Sequence, residues 1–239
     1  MGTQLNASMR KECKMTTSDG SFGSLPPIEM AQLRQAIYRF LGMLFLYPDE
    51  ARLSKVQIAA RELLEARQVW EALDFDPQLH KLLTSLVQLS EEAAEQVEEE
   101  FNHLIRVKPV APPYESFYLD PQGQARGVMA SELETEYADA GLALSSSLQD
   151  MPDHISVELE FMSFLCAGEV KTRETTNEAD NVQVRIRQRT FLNEHLVRWF
   201  PQFARRITDD APESLYSVIV AAAFSFLRHD LGFLGLRKA

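Results

Sequence analysis

Apolar residues recur along this chain at spacings of three and four. Leu33, Ile37, Phe40, Leu41 and Leu44 share one face of a helix that Pro48 ends. Asp49 stands where the next helix needs a cap, and Leu53, Val56, Ala60, Leu63 and Leu64 continue the stripe. After Asp76-Pro77 come Leu79, Leu82, Leu83, Leu86 and Leu89, then Val97, Phe101 and Leu104. Helical spacing resumes with Leu133 and Tyr137, and again from Asp153, with Val157, Phe161, Phe164 and Leu165 on one face. Residues 172–181 (TRETTNEADN) read as a solvated loop. Ile186, Leu192, Leu196 and Trp199 follow, with Phe203 and Ile207 beyond Pro201. A last helix opens at Pro212 and carries Leu215, Ile219, Ala222 and Phe226. Alternating runs closed by Asn-Gly or Asp-Gly turns do not occur, and no repeat of fixed period is present. The pattern predicts an all-α, single-domain helical bundle of about ten helices over residues 28–239. A flexible tail over residues 1–27, rich in Ser, Thr, Gly and Lys, precedes it.

Composition narrows the classes. The 239 residues are 45% hydrophobic, enough for a sizeable core. Asp and Glu outnumber Lys and Arg by 35 to 24, a net charge of -11, which disfavours nucleic acid and anionic membranes and favours a cationic partner. Cys13 and Cys166 form no zinc-type pattern; Cys166, beside Phe161, Phe164 and Leu165, reads as a reduced core thiol. The N-terminus lacks the apolar region of a signal peptide. No apolar run approaches the roughly 20 residues of a bilayer span. These features predict a cytoplasmic protein without stable membrane insertion.

Two segments carry candidate chemistry. From Lys108 to Gly127 the chain holds four prolines and two glycines, a break too long and too rich in prolines for a regular helix. Within it Tyr114, Phe117 and Tyr118 surround Glu115 and Ser116. Such aromatics suit a peptide-binding groove, and equally a loop pinned to a core. The second segment is MPDHISVELEF. Asp153 reads as the cap of the helix that follows, with His154 in its first turn, neutral because a positive charge there opposes the helix dipole. Alternatively Asp153 and His154 face a groove as a polar pair. An acid–base or metal site of Asp153, His154 and Glu158 is the enzymatic alternative, though no third ligand is evident near His154 and Glu158. Glu100 and His103 form one E-x-x-H where a di-iron bundle needs two. Phosphate-loop and nucleophile-elbow motifs are missing. The run Glu91, Glu92, Glu95, Glu98, Glu99 and Glu100 is a solvated face or a lure for a basic peptide, and Arg185, Arg187 and Arg189 are expected to pair with it. Trp70 and Trp199 read as core residues or groove lining, core being the default.

In order, LFLYPDE, PPYESFYLD, MPDHISVELEFMSFL and FLNEHLVRWFPQF resemble the TorD/DmsD/NarJ family of redox-enzyme maturation chaperones, over roughly residues 30–232. Y-E-S before an aromatic, and P-D-H opening an E-L-E-F helix about 37 residues later, are the specific signals. The resemblance implies a TorD-like helical fold and a cytoplasmic, non-catalytic chaperone. Its partner would be a molybdopterin-containing catalytic subunit or that subunit's twin-arginine leader, held while cofactor is inserted and export delayed. Carried over by motif, the peptide-binding residues are Tyr114, Glu115, Ser116, Tyr118, Pro152, Asp153 and His154. No resident cofactor or metal is implied beyond weak GTP or molybdopterin binding. The molecule would be a monomer or a helix-swapped homodimer. A general helical interaction scaffold is the fallback.

Overall fold

The computed structural model describes residues 25–66, 76–120, 126–143, 152–175 and 178–236. Residues 1–24 of the expected tail, Cys13 and Trp70 lie outside them. Among the described residues the architecture is ten α-helices and one π-helical turn, with no strand beyond a single isolated bridge. The expected all-α class is what the chain adopts.

Helix α1 (Pro27–Leu44) begins one residue before the expected boundary; Pro27 sits at the first helical position, where its missing N–H costs nothing. Asp49 caps α2 (Glu50–Glu65) through Arg52 N–H, 2.8 Å away. Asp76 caps α3 (Pro77–Val87) and Ser90 caps α4 (Glu91–Phe101). The π-turn Asn102–Arg106 extends α4. It ends near Lys108, whose φ of 51° turns the chain into the proline-rich segment. That segment is not wholly irregular: it contains the short helix α5 (Glu115–Leu119). Helices α6 (Arg126–Asp139), α7 (Ile155–Glu174), α8 (Glu178–Glu194), α9 (Leu196–Asp210) and α10 (Leu215–Leu236) complete the chain.

The most extensive helix pair is α1 against α7. Gly42 lies at their crossing, where an added Cβ would sit 3.5 Å from Ser156 O and 3.6 Å from Leu159 Cβ. Around this pair the buried stripes of every long helix merge into one apolar cluster. Inside it sits a charge network. Arg34, fully buried, donates to Asp230 (2.5 and 3.0 Å), Glu169 (2.8 Å) and Gln188 (2.6 Å). Tyr38 donates to the same Asp230, and Arg173 and Arg185 cover the other oxygen of Glu169. Helices α1, α7, α8 and α10 are thus tied by bonds that leave no charge of Arg34 uncovered.

Several expectations need correction. Phe164 and Ile186 are not core: they are 38% and 52% exposed. The expected loop 172–181 is mostly helix, since α7 runs to Glu174 and α8 starts at Glu178; polar side chains on a solvent face do not stop a helix. The last helix starts at Leu215, after Ser214 has capped Ser217 N–H and Glu100 has taken Leu215 N–H. Its span Leu215–Gly235 is long and apolar enough to cross a bilayer, against the expectation of no such run, but one face packs in the core and carries the buried Asp230. Arg185 and Arg187 turn not to the acidic run of α4 but to Glu169 and to Asp139 O.

Candidate functional site

Two loops that enter short or long helices meet at one point. Tyr114 and His154 form the isolated antiparallel bridge, with Glu115 N–H donating to Asp153 O and Ile155 N–H donating to Pro113 O, both at 2.9 Å. Their rings meet edge to face, centroids 5.2 Å apart. The two motifs, 37 residues apart in sequence, are therefore one junction.

The capping roles differ from expectation. His154, not Asp153, is the N-cap of α7: its Nδ1 accepts from Ser156 N–H and lies 2.7 Å from Ser156 Oγ. A ring nitrogen that accepts a backbone N–H carries no proton, which agrees with a neutral imidazole at this helix end. Asp153 instead reaches across the junction, and its Oδ2 accepts from Ser116 N–H in the first turn of α5, at 3.1 Å. Tyr137 on α6 fixes the same turn by donating to Pro152 O at 2.8 Å.

Of the seven motif residues, Pro152, Asp153, His154, Glu115, Ser116 and Tyr118 are buried, and Tyr114 is half-buried. Tyr118 stacks on Trp199 at 5.4 Å, whereas Phe117 faces out with Arg206 over its ring. Behind the junction lies a cluster whose centre the motifs did not reveal. Glu115, 1% exposed, accepts from His195 Nδ1 at 2.9 Å. His195 Nε2 faces Glu136 Oε2 at 3.4 Å. Glu158, completely buried, accepts from Trp199 Nε1 at 3.1 Å.

His195 occupies the break between α8 and α9, at φ -110° and ψ -90°. Burial works against its charge, but the hydrogen bonds to Glu115 and Glu136 and the proximity of Glu158 outweigh it and raise its pKa to about 10. It is an imidazolium at neutral pH. Burial, reinforced by the charge of Glu115, pushes the Glu158 carboxyl well above the usual carboxylate range. Glu158 Oε1, Asp153 Oδ1 and the Tyr118 hydroxyl are buried without a hydrogen-bond partner among the described residues. Each such group carries a desolvation cost of about 1–3 kcal/mol. Unmet polar groups gathered at one place mark a site kept for something other than stability.

The metal-type patterns dissolve in three dimensions. Glu100 binds the start of α10, and His103 pairs with Asp210 at 2.8 Å. His154 and Glu158 turn to different partners. Among the described residues no group of three ligand-type side chains has a metal-binding arrangement. His195 was the residue that motif reasoning missed. Its only sequence signal was the wording H-L-x-x-W-x-P-x-F, which places His195 four residues before Trp199.

Residues 72–205 match the family model described as nitrate reductase delta subunit. The chain is 26% identical over 205 residues to chaperone protein TorD of Psychrobacter sp. (strain PRwf-1), covering 82% of this chain and 89% of that one. It is 27% identical over 209 residues to chaperone protein TorD of Aliivibrio salmonicida (strain LFI1238), covering 84% and 94%. Among solved structures it resembles an Archaeoglobus fulgidus protein assigned to redox enzyme maturation, with a TM-score of 0.51 and 22% identity over 81% of this chain and 93% of that one, a likeness of fold.

Proposed function

The chain belongs to the nitrate reductase delta subunit family, and on that premise we propose that it is a cytoplasmic maturation chaperone for a molybdopterin-containing oxidoreductase. The observation that carries this reading is the junction itself. Two separate motifs within the matched segment converge on one bridge, and the buried carboxyl groups behind it are left partly unsatisfied.

The client is the catalytic subunit or its twin-arginine leader. Such a leader joins arginines to an apolar stretch. Aromatic surface buries the apolar part, at roughly 25 cal/mol per Å² less the cost of ordering the peptide. Carboxyl groups meet the arginines through charge-assisted bonds. Tyr114, the motif residue nearest solvent, makes direct contact. Glu115, Ser116, Tyr118, Pro152, Asp153 and His154 hold the shape around it and take client contacts when the junction opens. The chaperone performs no catalysis and needs no cofactor of its own; any GTP or molybdopterin binding is weak.

Calorimetry with the catalytic subunit of a molybdoenzyme encoded beside this chain, and with its leader peptide, tests the reading. Micromolar or tighter binding, weakened in Tyr114→Ala and lost in Asp153→Ala/His154→Ala, is expected. Binding to neither the leader nor the cofactor-free subunit sinks the assignment.

A further inference from the structure

Helix α6 is attached to the body through a narrow underside. Leu133 and Tyr137, one turn apart, are its buried side chains among the described residues, whereas α7 buries eleven of its 20 residues. The end of α6 is closed by its own backbone. Leu142 N–H donates to Tyr137 O at 2.9 Å and Gly141 N–H to Ala138 O at 2.8 Å. Gly141, at φ 86°, takes the left-handed conformation this ending requires. A helix finished in this way needs no neighbour to close its last turn.

Beneath α6 lie an apolar floor and the polar cluster. The Tyr137 ring rests on Phe161 and Phe191, with centroids 4.7 and 6.3 Å away. Phe161 stacks in turn on Phe164, which is exposed, so the floor runs out from under the helix to solvent. Polar ties from α6 reach both motifs and α8: Tyr137 donates to Pro152 O, Glu136 faces His195, and Asp139 O accepts from Arg187. Burial, and then the charges of Glu158, Glu115, Glu136 and Asp153, raise the Tyr137 phenol far above its ordinary value, so it stays a donor. Two of those neighbours, Glu158 through Oε1 and Asp153 through Oδ1, hold buried oxygens without a hydrogen-bond partner among the described residues.

We infer that α6 is a lid on the junction of the two motifs, latched by Tyr137 on Pro152 O and by Glu136 on His195, and that it lifts while the rest of the bundle stays folded. Lifting costs the packing of two side chains and these latches. Water that enters beneath it solvates Glu158 and Asp153, which offsets part of that cost and narrows the gap between the closed and open arrangements. Both latches act on the junction. Release of Pro152 O frees the turn that holds Asp153 against Ser116 N–H. Loss of Glu136 leaves the His195 ring with Glu115 as its remaining carboxylate partner in direct contact. The core does not hang on α6, because the bonds of Arg34 and Arg185 tie α1, α7, α8 and α10 without it. The lid belongs to the free chain and stands apart from the identity of any client.

The test is amide hydrogen exchange of the free, full chain, resolved by residue with NMR. In the wild type the amides in the second half of α6 are expected to exchange at least tenfold faster than those of α1 and the middle of α7. Tyr137→Phe keeps the ring and removes only the bond to Pro152 O. It is expected to speed exchange roughly fivefold to tenfold in α6 and at the junction amides of Glu115 and Ile155, with α1 and α10 unchanged. Glu136→Gln, at a position that reaches solvent, should accelerate the same set. A helix α6 that exchanges in step with α1 overturns the lid. So does an equal acceleration of every amide in Tyr137→Phe, which is the mark of a merely structural bond. Acceleration of α6 with the junction amides unmoved, or no change in either variant, overturns the latches and the inference with them.

Discussion

His195 joins three parts of the molecule through one ring: Glu115 from the first motif, Glu136 from α6, and the break between α8 and α9. Its folded pKa, raised to about 10, lies above the ordinary value near 6.5. A group raised in this way lends stability that is complete below its unfolded pKa and disappears as pH rises through its folded one. Glu158, also raised, acts in the same sense. Melting temperature is therefore expected to fall between pH 7 and pH 10, and the slope should flatten in His195→Gln; an equal slope in both proteins would refute the role. At the acid side the dependence reverses. Burial opposes ionisation of Glu169, but Arg34, Arg185 and Arg173 hold its pKa below the ordinary value, so its contribution is lost as pH falls. His195 was hard to read from sequence because its partner Glu115 is 80 residues away. Arg34 was readable in principle. Met30, Arg34, Ile37 and Leu41 lie on one stripe, so a charge stood on a face that had to be buried. Replacing it leaves Asp230 buried without its cation, while Glu169 keeps only Arg173 and Arg185. Arg34→Ala should cost about 3–5 kcal/mol, read by chemical denaturation.

At the level of elements, periodicity located most helices because each long one carries an apolar stripe, and at α2 and α3 the caps Asp49 and Asp76 are written beside it. It failed where a stripe is wider than the face the fold covers. Phe164 and Ile186 extend the stripes of α7 and α8 past their mutual contact and stand exposed. It also failed where two caps trade places. Local reading gives Asp153 to its own helix, but the bridge delivers its carboxyl to α5 and leaves His154 to cap α7. Only tertiary pairing decides that exchange. The α1–α7 crossing offers a test of element packing. A methyl at Gly42 would meet Ser156 O and Leu159 Cβ at ordinary contact distance, and alanine favours a helix over glycine by about 1 kcal/mol. Gly42→Ala should thus hold or raise stability in thermal melts, whereas Gly42→Leu should lower it sharply because α7 leaves no room.

For the molecule as a whole, acidity and helical periodicity gave the class of protein, and the paired motifs gave the family. Connectivity was not legible. Nothing local announces that α1 and α10 share a charge, or that an apolar helix of spanning length is a core element. The network of Arg34 and Asp230 joins residues 196 apart. During synthesis that separation becomes a matter of time. The first helix leaves the ribosome with its buried cation already in place; Glu169 follows with α7, and Asp230 arrives only with the last helix. Until then the emerging chain has an interior it cannot close.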